Sequence, residues 1–225
     1  AAHCRANPLG RAGRSQYHAW QLASPRSRCG SMGCLCSNPL LCPAADPHPD
    51  TPRQPFLPGL GPMQRKIDPL RLMVQWYVHA VIPTYPEVGA YNETERYDWD
   101  AARRRFTVTF EFNSGSFDGP LRAVPQVGWF DADDSFGTLW RVSPTLCGCA
   151  LPVKFPYYIL DVPDDYSHMI VGSNVGSSSY LWIMTRAPRV EPARLEAMID
   201  TACTFGFLRD AIRKREHDRP VPALE

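Results

Sequence analysis

The sequence predicts an all-β domain, an eight-stranded antiparallel up-and-down barrel with one C-terminal helix packed outside it and a disordered N-terminal tail. Three observations predict this. From Met63 onward the chain reads as eight short runs of alternating apolar and polar residues separated by turn residues, the pattern of half-buried strands. A single helical stripe follows the last run. Nine of the 23 prolines (Pro39, Pro43, Pro47, Pro49, Pro52, Pro55, Pro58, Pro62 and Pro69) fall between positions 39 and 69, a density that no helix or central strand can absorb.

The first run carries Trp76, Val78, Ala80 and Ile82 on one parity. The second, Tyr91–Tyr97, holds Glu93 and Glu95 on one parity, so that an inward face would place two carboxylates inside the barrel. The third alternates most cleanly, with Phe106, Val108, Phe110 and Phe112 opposed by Thr107, Thr109 and Glu111. Leu121–Phe130, Gly137–Val142, Tyr157–Val162, His168–Ser173 and Ser179–Thr185 complete the eight. Between them lie turn formers such as Asn113-Ser114-Gly115, Pro163-Asp164-Asp165 and Asn174-Val175-Gly176. A helix near 191–206 opens with Pro192 in its first turn and stops at Gly206, and Leu195, Met198, Ile199, Ala202 and Phe205 form its stripe. Eight antiparallel strands close around an interior wide enough for one small ligand. The domain so defined, residues 63–219, is large enough to bury about 70 % of its unfolded surface without disulfides.

Residues 1–62 fall outside this domain, and 220–225 form a short disordered tail. Residues 1–45 hold no acidic side chain but five arginines (Arg5, Arg11, Arg14, Arg26 and Arg28), the composition of a transit peptide directed to an organelle such as a plastid. A second reading competes. The first methionine, Met32, precedes Gly33-Cys34-Leu35-Cys36-Ser37, the pattern for myristoylation of Gly33 if translation starts there, with Cys34 and Cys36 placed for palmitate. Two acyl chains make a stable anchor where one does not. On that reading residues 1–31 are leader or untranslated, 32–62 are a proline-rich tail, and the protein sits on the cytosolic face of a membrane. A bacterial lipobox at Cys34 is disfavoured, because Arg26 and Arg28 occupy the place of its apolar segment.

Net charge is +1, from 24 basic and 23 acidic side chains, so no global field recruits nucleic acid. No stretch approaches 18 consecutive apolar residues, which excludes a membrane-spanning helix. The chain contains no Gly-x-Ser-x-Gly elbow, phosphate loop or His-Glu-x-x-His. Cys147-Gly148-Cys149 is spaced too tightly for a redox motif and lacks a second pair for zinc, so it reads as a surface loop. His79 and His168 stand alone in strands, as hydrogen-bonded residues rather than catalysts, and Arg103-Arg104-Arg105 reads as a solvated hairpin tip. Neither a metal nor another cofactor is expected.

Asp68-Pro69-Leu70-Arg71-Leu72-Met73-Val74-Gln75-Trp76-Tyr77 resembles the first motif of the lipocalin family, Asp164-Asp165-Tyr166 with His168 the second, and Tyr180-Leu181-Trp182-Ile183-Met184-Thr185-Arg186 the third. Val74 stands where the family has glycine, and Asp164 where it has threonine. The resemblance runs from Met63 to about Phe207. It is closest to the subgroup of bacterial outer-membrane lipocalins, apolipoprotein D and plant temperature-induced lipocalins, with Ile82-Pro83-Thr84, Gly89-Ala90-Tyr91-Asn92 and Gly119-Pro120-Leu121 most like the bacterial members. It implies a calycin barrel closed at one end by Trp76 with Arg186 across its ring, Asp165 and Tyr166 being structural motif residues. It also implies a binding protein rather than an enzyme, taking up a fatty acid, lysophospholipid, sterol or similar molecule in the cup. The candidate lining residues are Val78, Ala80, Phe106, Val108, Phe110 and Phe112, with Glu93, Glu95, Trp129, Trp140 and Tyr158. The alternative is an enzyme on the same barrel, as in the lipocalin-like violaxanthin de-epoxidase, with Glu93 and Glu95 as acids. Whether those two carboxyls point into the cup beside an open cavity discriminates the readings.

Overall fold

The computed structural model describes residues 53–218. Eight long strands close on themselves: β1 (Gln75–Ile82), β2 (Ala90–Asp100), β3 (Arg105–Ser114), β4 (Leu121–Phe130), β5 (Leu139–Leu146), β7 (Phe155–Asp161), β8 (His168–Val175) and β9 (Ser178–Thr185). Each pairs antiparallel with the next, and β9 returns to β1 from Tyr77↔Thr185 to Ile82↔Leu181. Two short strands are additions that the periodicity does not signal. β6 (Cys149–Ala150) folds back on β5 through a two-residue turn in which Cys147 and Gly148 take φ of 52° and 78°, the mirror-image turn that suits a twisted hairpin. β10 (Arg213–Lys214) pairs with β1 at Ala80 and Val81. It takes the place of β2, whose pairing with β1 ends at Tyr77↔Thr94.

The helix, α1 (Pro192–Thr204), lies outside the barrel, and its Leu195, Met198, Ile199 and Ala202 pack on Ala80, Ile82, Leu160, Ile170, Leu181 and Ile183. This corrects one expectation. The register of β1 against β9 slips between Val78 and Ala80, so Val78 faces inward and Ala80 outward under the helix. One extra residue at a bulge inverts the facing of everything beyond it. Ala80 is therefore not a cup residue, and Val81 takes the inward place that parity assigns to its neighbours.

A second difference concerns the tail. Residues 53–62, read as outside the domain, pack against it: Gln54 and Leu60 are buried, Pro55 bridges Ser178, and the Met63 amide donates to the Ile159 carbonyl at 2.9 Å. The prolines bar this segment from the middle of a sheet but not from lying along its outside, where only non-proline amides are needed. Residues 1–52 and 219–225 lie outside the described residues, and with them the acylation candidates Gly33, Cys34 and Cys36.

Candidate functional site

The barrel is closed at the end where β1 begins. Asp68 caps a single turn of 3₁₀ helix, Pro69–Leu72, by accepting a hydrogen bond from the Leu70 amide. The carbonyl of fully buried Leu72 accepts from the Trp76 indole at 3.0 Å, and the Arg186 guanidinium lies 4.5 Å from the centre of that ring. Arg186 also donates to the carbonyls of Tyr166 and Arg71, tying the turn after β7 to the turn before β1. Asp165 accepts from the Ser167 amide and Tyr166 takes a φ of 55°, which sets its hydroxyl to accept from the Asp68 amide at 2.8 Å. The four motif residues form a structural clasp on this geometry.

Above the clasp the interior is filled by rings. Phe106 and Trp140 are fully buried 5.1 Å apart, Phe130 joins both, and Trp140 stacks on Tyr157 at 5.8 Å. Gly128 is required there, because a Cβ at that position would stand 2.2 Å from the Phe106 ring. Phe106 and Trp140 are thus inward, as expected, but they belong to a packed floor.

Toward the other end the inward wall divides. On β3 and β4, Phe110, Phe112 and Val124 form an apolar patch with Ala90. On β2 the inward parity belongs to Glu93, Glu95 and Tyr97, of which Glu93 is fully buried and Glu95 nearly so. A bulge between Tyr91 and Thr94, with Asn92 at a φ of 54°, adjusts the strand just before them. Tyr97 and Tyr157 both donate to Oε2 of Glu95. Burial raises the Glu95 carboxyl to about 7, the tyrosine hydroxyls opposing and the nearby Glu87 adding to the shift.

Two groups complete this wall that the sequence reading did not select. Glu87, in the loop between β1 and β2, turns inward and accepts from the Trp182 indole at 2.6 Å and from the Thr84 hydroxyl at 2.7 Å. Its carboxyl is raised by burial, against those donors. Arg215, just past β10, enters where β1 and β2 part, and its Nε stands 2.6 Å from Oε1 of Glu93. That contact is an ion pair without an aligned hydrogen bond, and among the described residues Oε2 of Glu93 has no hydrogen-bond partner. Burial holds the Glu93 carboxyl well above its usual range, with Arg215 opposing. Glu87 carried no signal beyond a proline-flanked loop, and Arg215 lies in a charge run, Arg213-Lys214-Arg215-Glu216, that resembles any solvated tail.

Val78 and Val108 face inward as expected. Two other candidates do not. Trp129 points out of the barrel, where Lys154 Nζ lies 4.4 Å from its ring, because Gly128 and Phe130 hold the inward positions of β4. Tyr158 packs against the outer cluster beneath the helix, the inward positions of β7 going to Tyr157 and Ile159. Outside the barrel a shallow depression of about 280 Å³ lies between Leu57–Gly61 and the end of α1, and no cup residue lines it. Among the described residues no helix is long and apolar enough to cross a membrane, and no three His, Cys, Asp or Glu side chains are disposed to hold a metal ion.

The family described as the lipocalin-like domain matches residues 67–217. Temperature-induced lipocalin-1 of Arabidopsis thaliana is 32% identical over 57 residues, which are 25% of this chain and only 30% of that protein. Among solved structures, insecticyanin of the tobacco hornworm Manduca sexta superposes with a TM-score of 0.58 at 14% identity, over 74% of this chain and 88% of that one. H1 crustacyanin of the lobster Homarus americanus superposes with a TM-score of 0.52 at 14% identity, over 79% and 96%. At such identities these two likenesses bear on the fold.

Proposed function

Because this chain belongs to the lipocalin-like family, we propose that it binds and carries or stores a small hydrophobic molecule, such as a lipid chain, inside its barrel. The observation that carries this reading is the inward apolar patch of Phe110, Phe112 and Val124 beside a buried polar wall, above an aromatic floor clasped shut by Trp76 and Arg186. Each methylene buried on that patch contributes about 0.8 kcal/mol, and the polar wall orients the head. A fluorescent lysolipid should bind with a 1:1 limit and be displaced by unlabelled lipid. Phe110→Asp should abolish this, since its carboxylate would be buried without a partner. Unaltered binding to that variant places the ligand elsewhere.

One observation favours the enzymatic alternative: Glu93 and Glu95 do face inward, and Glu95 at about 7 stands where a general acid is effective. Glu95 is nonetheless committed to two tyrosine hydroxyls and Glu87 to Trp182 and Thr84, as a fixed polar wall rather than a mobile acid. Formation of product from a carotenoid epoxide, lost in Glu95→Gln, would decide for catalysis.

Membrane attachment through acyl groups on Gly33 and on Cys34 or Cys36 is part of the proposal. The tail's described end meets the turn between β8 and β9 through Pro55 and Ser178, at the rim opposite the clasp. Val88, Leu121 and Leu146 are exposed at the same end, which supports a mouth that faces lipid.

A further inference from the structure

Within the barrel, acidic groups outnumber basic ones among the described residues. Glu87, Glu93 and Glu95 are all buried, and Arg215 is the one cation paired with any of them among the described residues. Two of the three carboxyls are accounted for locally. Trp182 and Thr84 hold both oxygens of Glu87, and Tyr97 and Tyr157 hold Oε2 of Glu95. Glu93 differs. Arg215 reaches one of its oxygens, while Oε2 is sealed from solvent with no donor to it among the described residues. A buried carboxyl oxygen left in that condition is costly, and no donor for it stands among the described residues.

Resting on the reading that the barrel takes up an apolar molecule, we propose that this molecule carries an organic ammonium head, seated at Glu93 and Glu95, with its tail along Phe110, Phe112 and Val124. The two carboxyls stand on one face of β2 two residues apart, about 6.7 Å along the strand, and side chains of that length can converge on one ammonium, whose three N–H donors each reach about 2.8 Å. A metal ion does not fit, since no three such ligands converge among the described residues. A carboxylate head of equal length would instead face three carboxyls whose ionisation burial already opposes. Arg122, on the inward face of β4 opposite Phe112, is exposed at the rim and does not reach this depth.

The test compares dodecylamine, dodecanol and dodecanoate, three heads on one tail, binding to the full chain at about pH 7.5, where amine and carboxylate are both charged. Binding is read by titration calorimetry with tryptophan fluorescence as a second signal. Dodecylamine should bind roughly tenfold or more tightly than either of the others, the effect of one charge-assisted hydrogen bond. Glu93→Gln combined with Arg215→Met, which removes both members of the buried pair and so keeps the fold, should lower dodecylamine to the level of dodecanol and leave dodecanol unchanged. Equal or tighter binding of dodecanoate or dodecanol overturns the ammonium head while leaving ligand binding in the barrel intact. Absence of binding by all three overturns both readings.

Discussion

Replacing Glu95 by glutamine should change how stability depends on pH. Glu95 is buried on the inward face of β2, in contact with Tyr97 and Tyr157 and near Glu87, and its carboxyl is raised from 4.5 to about 7. The folded chain therefore holds this proton at pH values where the unfolded chain has released it. Its contribution to stability is complete below about 4.5 and is lost as the pH rises through about 7. A difference of about 2.5 units at about 1.4 kcal/mol per unit makes the loss roughly 3 kcal/mol by pH 8. Glutamine keeps an acceptor for the tyrosines and never ionises. Glu95→Gln should thus match the parent near pH 4.5 and exceed it by roughly 3 kcal/mol near pH 8, a gain of roughly 6–12 °C in Tm for a domain of this size. The assay is urea unfolding followed by tryptophan fluorescence across that range, taking the difference between the two proteins at each pH. His79, lowered to about 4 by burial, loses its contribution as the pH falls from about 6.5 through 4, but it does so in both proteins and cancels. Glu87, Glu93 and Arg215 are common to both, but the Glu93 carboxyl, raised chiefly by burial, is raised further by charge on Glu95, so Glu95→Gln eases its ionisation and adds to the gain at high pH. A difference that stays flat with pH, or a variant less stable than the parent at pH 8, would show that Glu95 does not hold this proton in the folded chain.

Trp76→Ala should cost about 3–5 kcal/mol, the range for a large buried ring, and unchanged urea unfolding would remove the clasp from the account. Arg215→Ala should destabilise by a similar amount, about 3–5 kcal/mol, because it strands Glu93 without its counter-charge. Adding Glu93→Gln should recover most of that loss, measured as a double-mutant cycle. Expressed from Met32 in a eukaryotic cell, the protein should fractionate with membranes and Gly33→Ala should release it to the cytosol. A Met32 protein that stays soluble, while the chain from Ala1 is imported into a plastid and trimmed, sets acylation aside in favour of a transit peptide.

The clean alternation of Phe106 to Phe112 made β3 legible residue by residue, because its facing is set by local parity alone and no bulge interrupts it. Ala80 was misread for the opposite reason. The slip after Val78 is a property of the pairing with β9 and leaves no mark on the local sequence. Trp129 and Tyr158 were misassigned because a large ring suits either face of a strand, and which face is inward follows from its neighbours, here Gly128 against Phe106 and Tyr157 against Trp140. Glu93 and Glu95 could be named as a same-face pair, yet their partners could not. Arg215 lies more than a hundred residues away in the chain, and Glu87 reaches Trp182 only once the loop has folded inward.

The class of fold, the number of long strands and the helix after them were legible in the sequence, because periodicity acts over a few residues, while the clasp of Trp76 with Arg186 followed from motifs shared with the lipocalin family. Tertiary structure decided that residues 53–62 pack on the barrel, since burial of Gln54 and Leu60 depends on a surface made by β7 to β9 and α1. It also decided the chemistry of the interior. Which side chains meet inside a barrel depends on closure, bulges and a C-terminal segment that fills the gap where β1 and β2 part, and none of these is encoded within reach of the residues they bring together.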